Sequence, residues 1–79
     1  MQHVARDGWT LVRSDTKAPV CRGDAVTSGR GEPATVEGGA PPHKPASTGR
    51  VYVVEAPDGS RFAREYFPSV FGLEWIRGA

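Results

Sequence analysis

Residues 49–67, GRVYVVEAPDGSRFAREYF, constrain the fold more than any other stretch. Val51, Tyr52, Val53 and Val54 are β-branched or aromatic without interruption, which disfavours a helix and suits a pleated surface. Phe62, Tyr66 and Phe67 supply a return strand. Between the two runs lies Ala56-Pro57-Asp58-Gly59. Proline presets φ for the second position of a type I turn, and glycine accepts the left-handed backbone that follows. That chemistry predicts a β-hairpin with a three-residue connection and a glycine bulge. Its register sets Ala56 opposite Ser60, Glu55 opposite Arg61, Val54 opposite Phe62 and Tyr52 opposite Arg64. A two-residue Asp58-Gly59 turn would set Glu55 against Phe62, a poorer cross-strand match. In the expected hairpin Tyr52, Val54 and Phe62 share one face, and Val51, Val53 and Ala63 share the other. Both faces are partly apolar, so the hairpin must lie between other elements or curl into a barrel.

The rest of the chain reads as short strands and turns. Its 79 residues include 10 glycines and 7 prolines, a balance that favours reversals over helices. The length points to one domain. Trp9–Arg13, Ala25–Ser28 and Ala34–Glu37 read as strands, separated by Ser14-Asp15-Thr16-Lys17, Arg22-Gly23-Asp24 and Gly29-Arg30-Gly31-Glu32-Pro33. Residues 1–7 are polar and read as a loose end or the lead-in to a strand. Pro68 stops the return strand of the hairpin, and Ser69 to Gly72 has room for one 3₁₀ turn. Val70, Phe71, Leu73, Trp75 and Ile76 form the densest apolar run. Left exposed, it would be a sticky patch. It is therefore expected to fold back on Trp9–Arg13 and bury Phe71 and Trp75. The spacing of strands and turns predicts an all-β domain over 8–77. About five short antiparallel strands would bend into a small barrel, with Leu11, Val26, Val36, Val51, Val53 and Trp75 in one core.

Residues 38–48, GGAPPHKPAST, are expected to be a long loop, since two glycines and three prolines suit neither a ladder nor a helix. Pro41, Pro42 and Pro45 favour extended polyproline geometry. Loops of this length in a compact domain usually serve a function or move. Pro41, Pro42, His43, Lys44 and Pro45 are therefore candidate partner-binding residues. Arg50, Tyr52 and Arg64 are candidates beside them, because arginines flanking an aromatic side chain can stack on bases.

Catalytic and metal chemistry find no foothold. His3, His43 and Cys21 are far apart and match no zinc spacing. Cys21 stands beside Arg22, which would favour a thiolate, but no Cys–His signature accompanies it. A single cysteine allows no internal disulfide and fits a reducing compartment. Gly29-Arg30-Gly31 lacks the third glycine and the following helix of a phosphate-binding loop. The carboxylates are scattered and nominate no acid–base pair. The expectation is a non-enzymatic chain without cofactor. Its net charge of +1 argues against dedicated nucleic-acid binding. No apolar run follows Met1, and none approaches the length of a membrane span, so neither signal peptide nor transmembrane segment is expected.

Two resemblances rest on particular residues. The run from Gly23 to Glu55, with Gly23-Asp24-Ala25-Val26 and later Gly49-Arg50-Val51, resembles the strand–loop–strand core of SH3-like barrels of the KOW type. The stretches 13–20, 42–53 and 66–75 are similar to those of small proteins encoded by tailed phages and prophages. These resemblances imply an SH3-like barrel and an accessory protein acting in the bacterial host cytoplasm, and the second implies no known activity. The leading expectation is a small protein-binding module whose partner is a bacterial host or phage protein. The alternative is a nucleic-acid-binding small barrel.

Overall fold

The computed structural model describes residues 2–55 and 63–78. Its strands are β1 (Ala5–Arg6), β2 (Trp9–Arg13), β3 (Ala25–Thr27), β4 (Pro33–Ala40), β5 (Arg50–Glu55), β6 (Arg64–Tyr66) and β7 (Leu73–Arg77). A 3₁₀ turn spans Pro68–Phe71. The fold is all-β. The described strands form two antiparallel sheets, β1-β2-β7 and β3-β4-β5-β6, in place of about five strands closed into one barrel.

One of the additional strands comes from the N-terminal segment. Asp7 and Gly8 both have positive φ, 54° and 82°, the signature of a two-residue type I′ hairpin turn. They fold Ala5–Arg6 onto Trp9–Thr10. The expectation of a loose 1–7 is corrected for the described residues. The Val4 N–H donates to the Val20 carbonyl and the Val4 carbonyl accepts from Leu11 N–H. Val4 itself is 9% exposed. The Asp-Gly pair was the overlooked signal.

β7 folds back on β2, with Trp9 opposite Arg77, Leu11 opposite Trp75 and Arg13 opposite Leu73. Phe71 and Trp75 are buried, as expected from the cost of leaving them in water. Strand β2 is covered on both faces. Leu11 enters the main core, while Val12 bridges Pro19 and is also buried. The Thr10 hydroxyl donates to the Gly78 carbonyl.

In the second sheet β4 is longer than expected. The loop was expected to begin at Gly38, yet 38–40 continue the ladder, with Gly39 opposite Val51 and Ala40 opposite Arg50. A bulge at Glu37 shifts the register between Val36 and Gly38, which bends the strand. Glycine weakens a strand by itself but is suited to close approach, and here Trp75 lies against Gly39.

The expected turn at 56–59, and the pairs involving Ser60, Arg61 and Phe62, lie outside the described residues. The register of β5 and β6 is corrected by one residue. Val51 faces Tyr66, Tyr52 faces Glu65 and Val53 faces Arg64. As far as the described strands carry it, this is the register of the Asp58-Gly59 alternative. The core selects it. The expected register would set Glu65 opposite buried Val51, whereas the observed one brings Tyr66 there and turns Glu65 outward beside Tyr52. A one-residue slip exchanges the two faces of a strand, so burial decides between them.

The sheets pack through Val26, Ala34, Val36, Val51 and Val53 on one side and Val4, Leu11, Val20, Phe71, Leu73 and Trp75 on the other. All six residues expected in the core are there. Single backbone bonds tie the layers at the margins, including Gly29 N–H to the Val70 carbonyl.

Candidate functional site

The loop from Pro41 to Gly49 leaves β4 at Ala40 and enters β5 at Arg50, two residues that pair across the ladder. Its neck is therefore closed by hydrogen bonds. The Trp75 indole fixes it further. Gly39 and Gly49 both lie so close to this ring that a Cβ on either would come within 2.7 Å of it. Gly49 has φ +74° and is buried. The indole Nε1–H donates to the Arg50 carbonyl at 3.1 Å. Within the loop the Ser47 N–H donates to the Lys44 carbonyl, which closes a turn over Pro45-Ala46. Proline at the second turn position is pre-set for that geometry. The Gly49 N–H donates to the Ser47 hydroxyl. His43, Lys44 and Pro45 are exposed at the tip.

The loop faces the end of the first sheet. Pro42, His43, Lys44, Pro45 and Ser47 line an open cleft of about 490 Å³ with Trp9 and Arg77. The Arg77 guanidinium lies 5.1 Å from the centre of the Trp9 ring, within cation–π range. A second cleft of about 400 Å³ shares Trp9, Pro42 and Ser47 and runs on to Pro68, Ser69 and Glu74. At its far end the Lys17 ammonium stands 2.9 Å from Glu74. Hydrogen bonds from Lys17 and then Ser14 hold the Glu74 carboxyl below its usual range.

Trp9 and Arg77 were not among the expected site residues. Trp9 is only partly buried, against the core margin. The pairing of Trp9–Arg13 with the C-terminal run, carried one residue past Ile76, sets Arg77 across from Trp9.

The other four expected residues are not gathered at the cleft, and of these Pro41 is half-buried where the loop leaves β4 and lines neither cleft. Arg50 is committed to the scaffold. Its Nε is 3.2 Å from Glu65, its NH1 donates to the Gly49 carbonyl, and its guanidinium lies 4.3 Å above the Phe67 ring. Tyr52 lies on the outer face between Gly38 and Glu65. Arg64 stands opposite Val53, on the other side of the sheet from Arg50 and Tyr52. An arginine cluster around Tyr52 does not form among the described residues, and Arg61 lies outside them.

His3 and Cys21, distant in sequence, face each other across an isolated bridge. Cys21 is buried, and its N–H donates to the Asp24 carboxylate. That carboxylate is occupied by backbone, and no described hydrogen bond joins His3 to the buried cysteine, so the trio does not form the nucleophile–base pair of an activated thiol. Among the described residues no group of His, Cys, Asp and Glu could hold a metal. No described helix is long and apolar enough to cross a membrane. Comparison with protein-family models, curated proteins and solved structures returns no match.

Proposed function

We propose that the chain is a non-enzymatic protein-binding module that displays the loop 41–48 from a rigid β scaffold. The observation that supports this most is the mounting of the loop. Its neck is laddered at Ala40 and Arg50 and held by Trp75, while its tip carries exposed His43, Lys44 and Pro45. Binding surfaces are commonly loops positioned by a rigid framework. Ordering such a loop beforehand removes part of the entropic cost of association. On this reading the two sheets are an opened variant of an SH3-like barrel. The chain serves a phage or prophage in the host cytoplasm, and its partner is a host or phage protein.

Nucleic acid is the weaker reading. Arg50 is engaged by Glu65 and Phe67, and Arg64 is turned away from Tyr52. Two measurements separate the readings. The first is affinity capture from a bacterial lysate with wild type and with a variant whose residues 41–47 are replaced by Gly and Ser. Residues 39 and 40 are kept because they belong to β4. Wild type should retain proteins that the variant loses, and identical recoveries would remove the loop as the contact. The second is an oligonucleotide titration at low salt, where tight binding that collapses as salt rises would favour nucleic acid.

A further inference from the structure

We infer that the cleft between the loop and the β2–β7 end takes an acidic, extended segment of a protein partner. This rests on the protein-binding reading and names the chemistry of its ligand. Four basic side chains are paired, Arg6 with Asp7, Lys17 with Glu74, Arg22 with Glu37 and Arg50 with Glu65. Arg13, Arg30 and Arg64 have no ion pair among the described residues, and what sets Lys44 and Arg77 apart is that two such cations share one cleft. Lys44 and Arg77 line one cleft, and neither has a carboxylate within 4.0 Å among the described residues. The chain's net charge is only +1, so two cations without a carboxylate in one cleft make a local excess.

The geometry adds direction. Arg77 is held by the face of Trp9, not by an acid. A guanidinium stacked on a ring keeps its N–H fork free for a carboxylate, which it can take through two hydrogen bonds. Trp9, Pro42 and Pro45 supply apolar surface beside the two cations. Tryptophan and arginine are the side chains most often found to dominate binding energy at interfaces. The adjoining cleft continues the trough past Ser47 toward Pro68, where Glu74 is already paired with Lys17. A ligand lying along the trough would therefore meet its uncompensated charge at the Lys44–Arg77 end. Carboxylates alternating with apolar side chains match that lining.

The test selects from a random dodecapeptide library displayed against the intact protein, in parallel with the double variant Lys44→Ala/Arg77→Ala. Both positions are exposed, and a dispersed amide spectrum verifies that the variant is folded. Wild type should enrich peptides rich in Asp and Glu with an apolar residue between. Bound peptides should shift the amides of residues 9, 42–47 and 77. Affinity should fall roughly fivefold for each cation removed, the scale of an exposed ion pair. Enrichment of basic or neutral peptides, shifts confined to another surface, or equal selection by the double variant would overturn the inference. So would an oligonucleotide that occupies the trough more tightly than the selected peptides. The two proposals fail differently. If the Gly/Ser loop variant loses its captured proteins while Lys44→Ala/Arg77→Ala retains them, the loop module stands and the acidic ligand falls.

Discussion

Gly49→Ala tests how the loop is held. Two penalties add at this site. The backbone has φ +74°, which costs an L-residue about 1–2 kcal/mol. The new Cβ would stand 2.6 Å from Trp75 Cδ1 and 2.7 Å from the Ala40 carbonyl oxygen. One of those neighbours is backbone in a ladder and the other a buried ring, so neither yields freely. Overpacking of this kind costs typically about 1–3 kcal/mol. The expected loss is about 2–5 kcal/mol, a large part of the 5–15 kcal/mol that native domains possess. Two companions separate the penalties. Gly8→Ala, at φ +82° with no atom within 4 Å of its Cβ, carries strain alone and should cost about 1–2 kcal/mol. Gly39→Ala carries contact without positive φ, at 2.7 Å from Trp75 Cζ2, and should cost about 1–3 kcal/mol. Urea unfolding followed by tryptophan fluorescence gives all three values. Each kcal/mol should lower Tm by about 4–8 °C for a domain of this size. If Gly49→Ala costs no more than Gly8→Ala, or Gly39→Ala is neutral, Trp75 does not fill the space at the loop's neck and the account of a pre-ordered loop is wrong.

Other outcomes follow from single contacts. A chain ending at Phe67 loses β7 with buried Phe71, Leu73 and Trp75, each worth about 1.5–3 kcal/mol of burial; it should show a collapsed amide spectrum, and retained dispersion would refute the role of β7. Asp7→Val places a β-branched residue at φ 54° and should cost about 1–2 kcal/mol in urea, whereas Asp7→Asn should be tolerated. Lys17→Ala should raise the Glu74 pKa in a carboxyl NMR titration, since Lys17 is the main cause of its lowering. Because the folded-state value is the depressed one, the stabilisation from this pair is present above the ordinary carboxylate range and fades as pH falls through the lowered value. An unchanged Glu74 titration would show that the pair does not form in solution.

The strand content of the chain was open to view in its residue types, because a Val-Tyr-Val-Val run and a dense apolar C-terminal run each have one economical way to hide from water. The pairing of β2 with β7 followed from that alone. The hairpin register did not, because turn chemistry and core burial pulled toward different answers and only the three-dimensional core decides whether Tyr66 or Glu65 lies beneath the sheet. Gly38 and Gly39 misled for a related reason. Glycine reads locally as loop, and its use as a recess for Trp75 depends on a residue 36 positions away from Gly39. Of the site, the Pro-His-Lys-Pro loop was legible by composition. Trp9 and Arg77 join it only through strand pairing, and Arg64, expected opposite Tyr52, is carried to the other side of the sheet from Arg50 and Tyr52 by the one-residue shift in register.

The β2–β7 pairing also sets an order of events. In the second sheet each strand is followed by its partner, β3 by β4 by β5 by β6, so loop closures there are short. Strand β2 has β1 beside it at once but must wait for its second neighbour about sixty residues downstream, as the Arg13–Leu73 pair shows. Short closures are reached sooner than long ones. On a ribosome, β2 therefore emerges with only its local partners, β1 and the 18–20 segment, while the β3–β6 layer takes shape. Until β7 has cleared the exit tunnel, that layer has only half a core to lie on. Kinetically, side-chain truncations in β4 and β5 should slow refolding, while truncations across β2 and β7 should chiefly hasten unfolding. The reverse pattern in stopped-flow measurements would mean that the outermost strands of the sequence meet first.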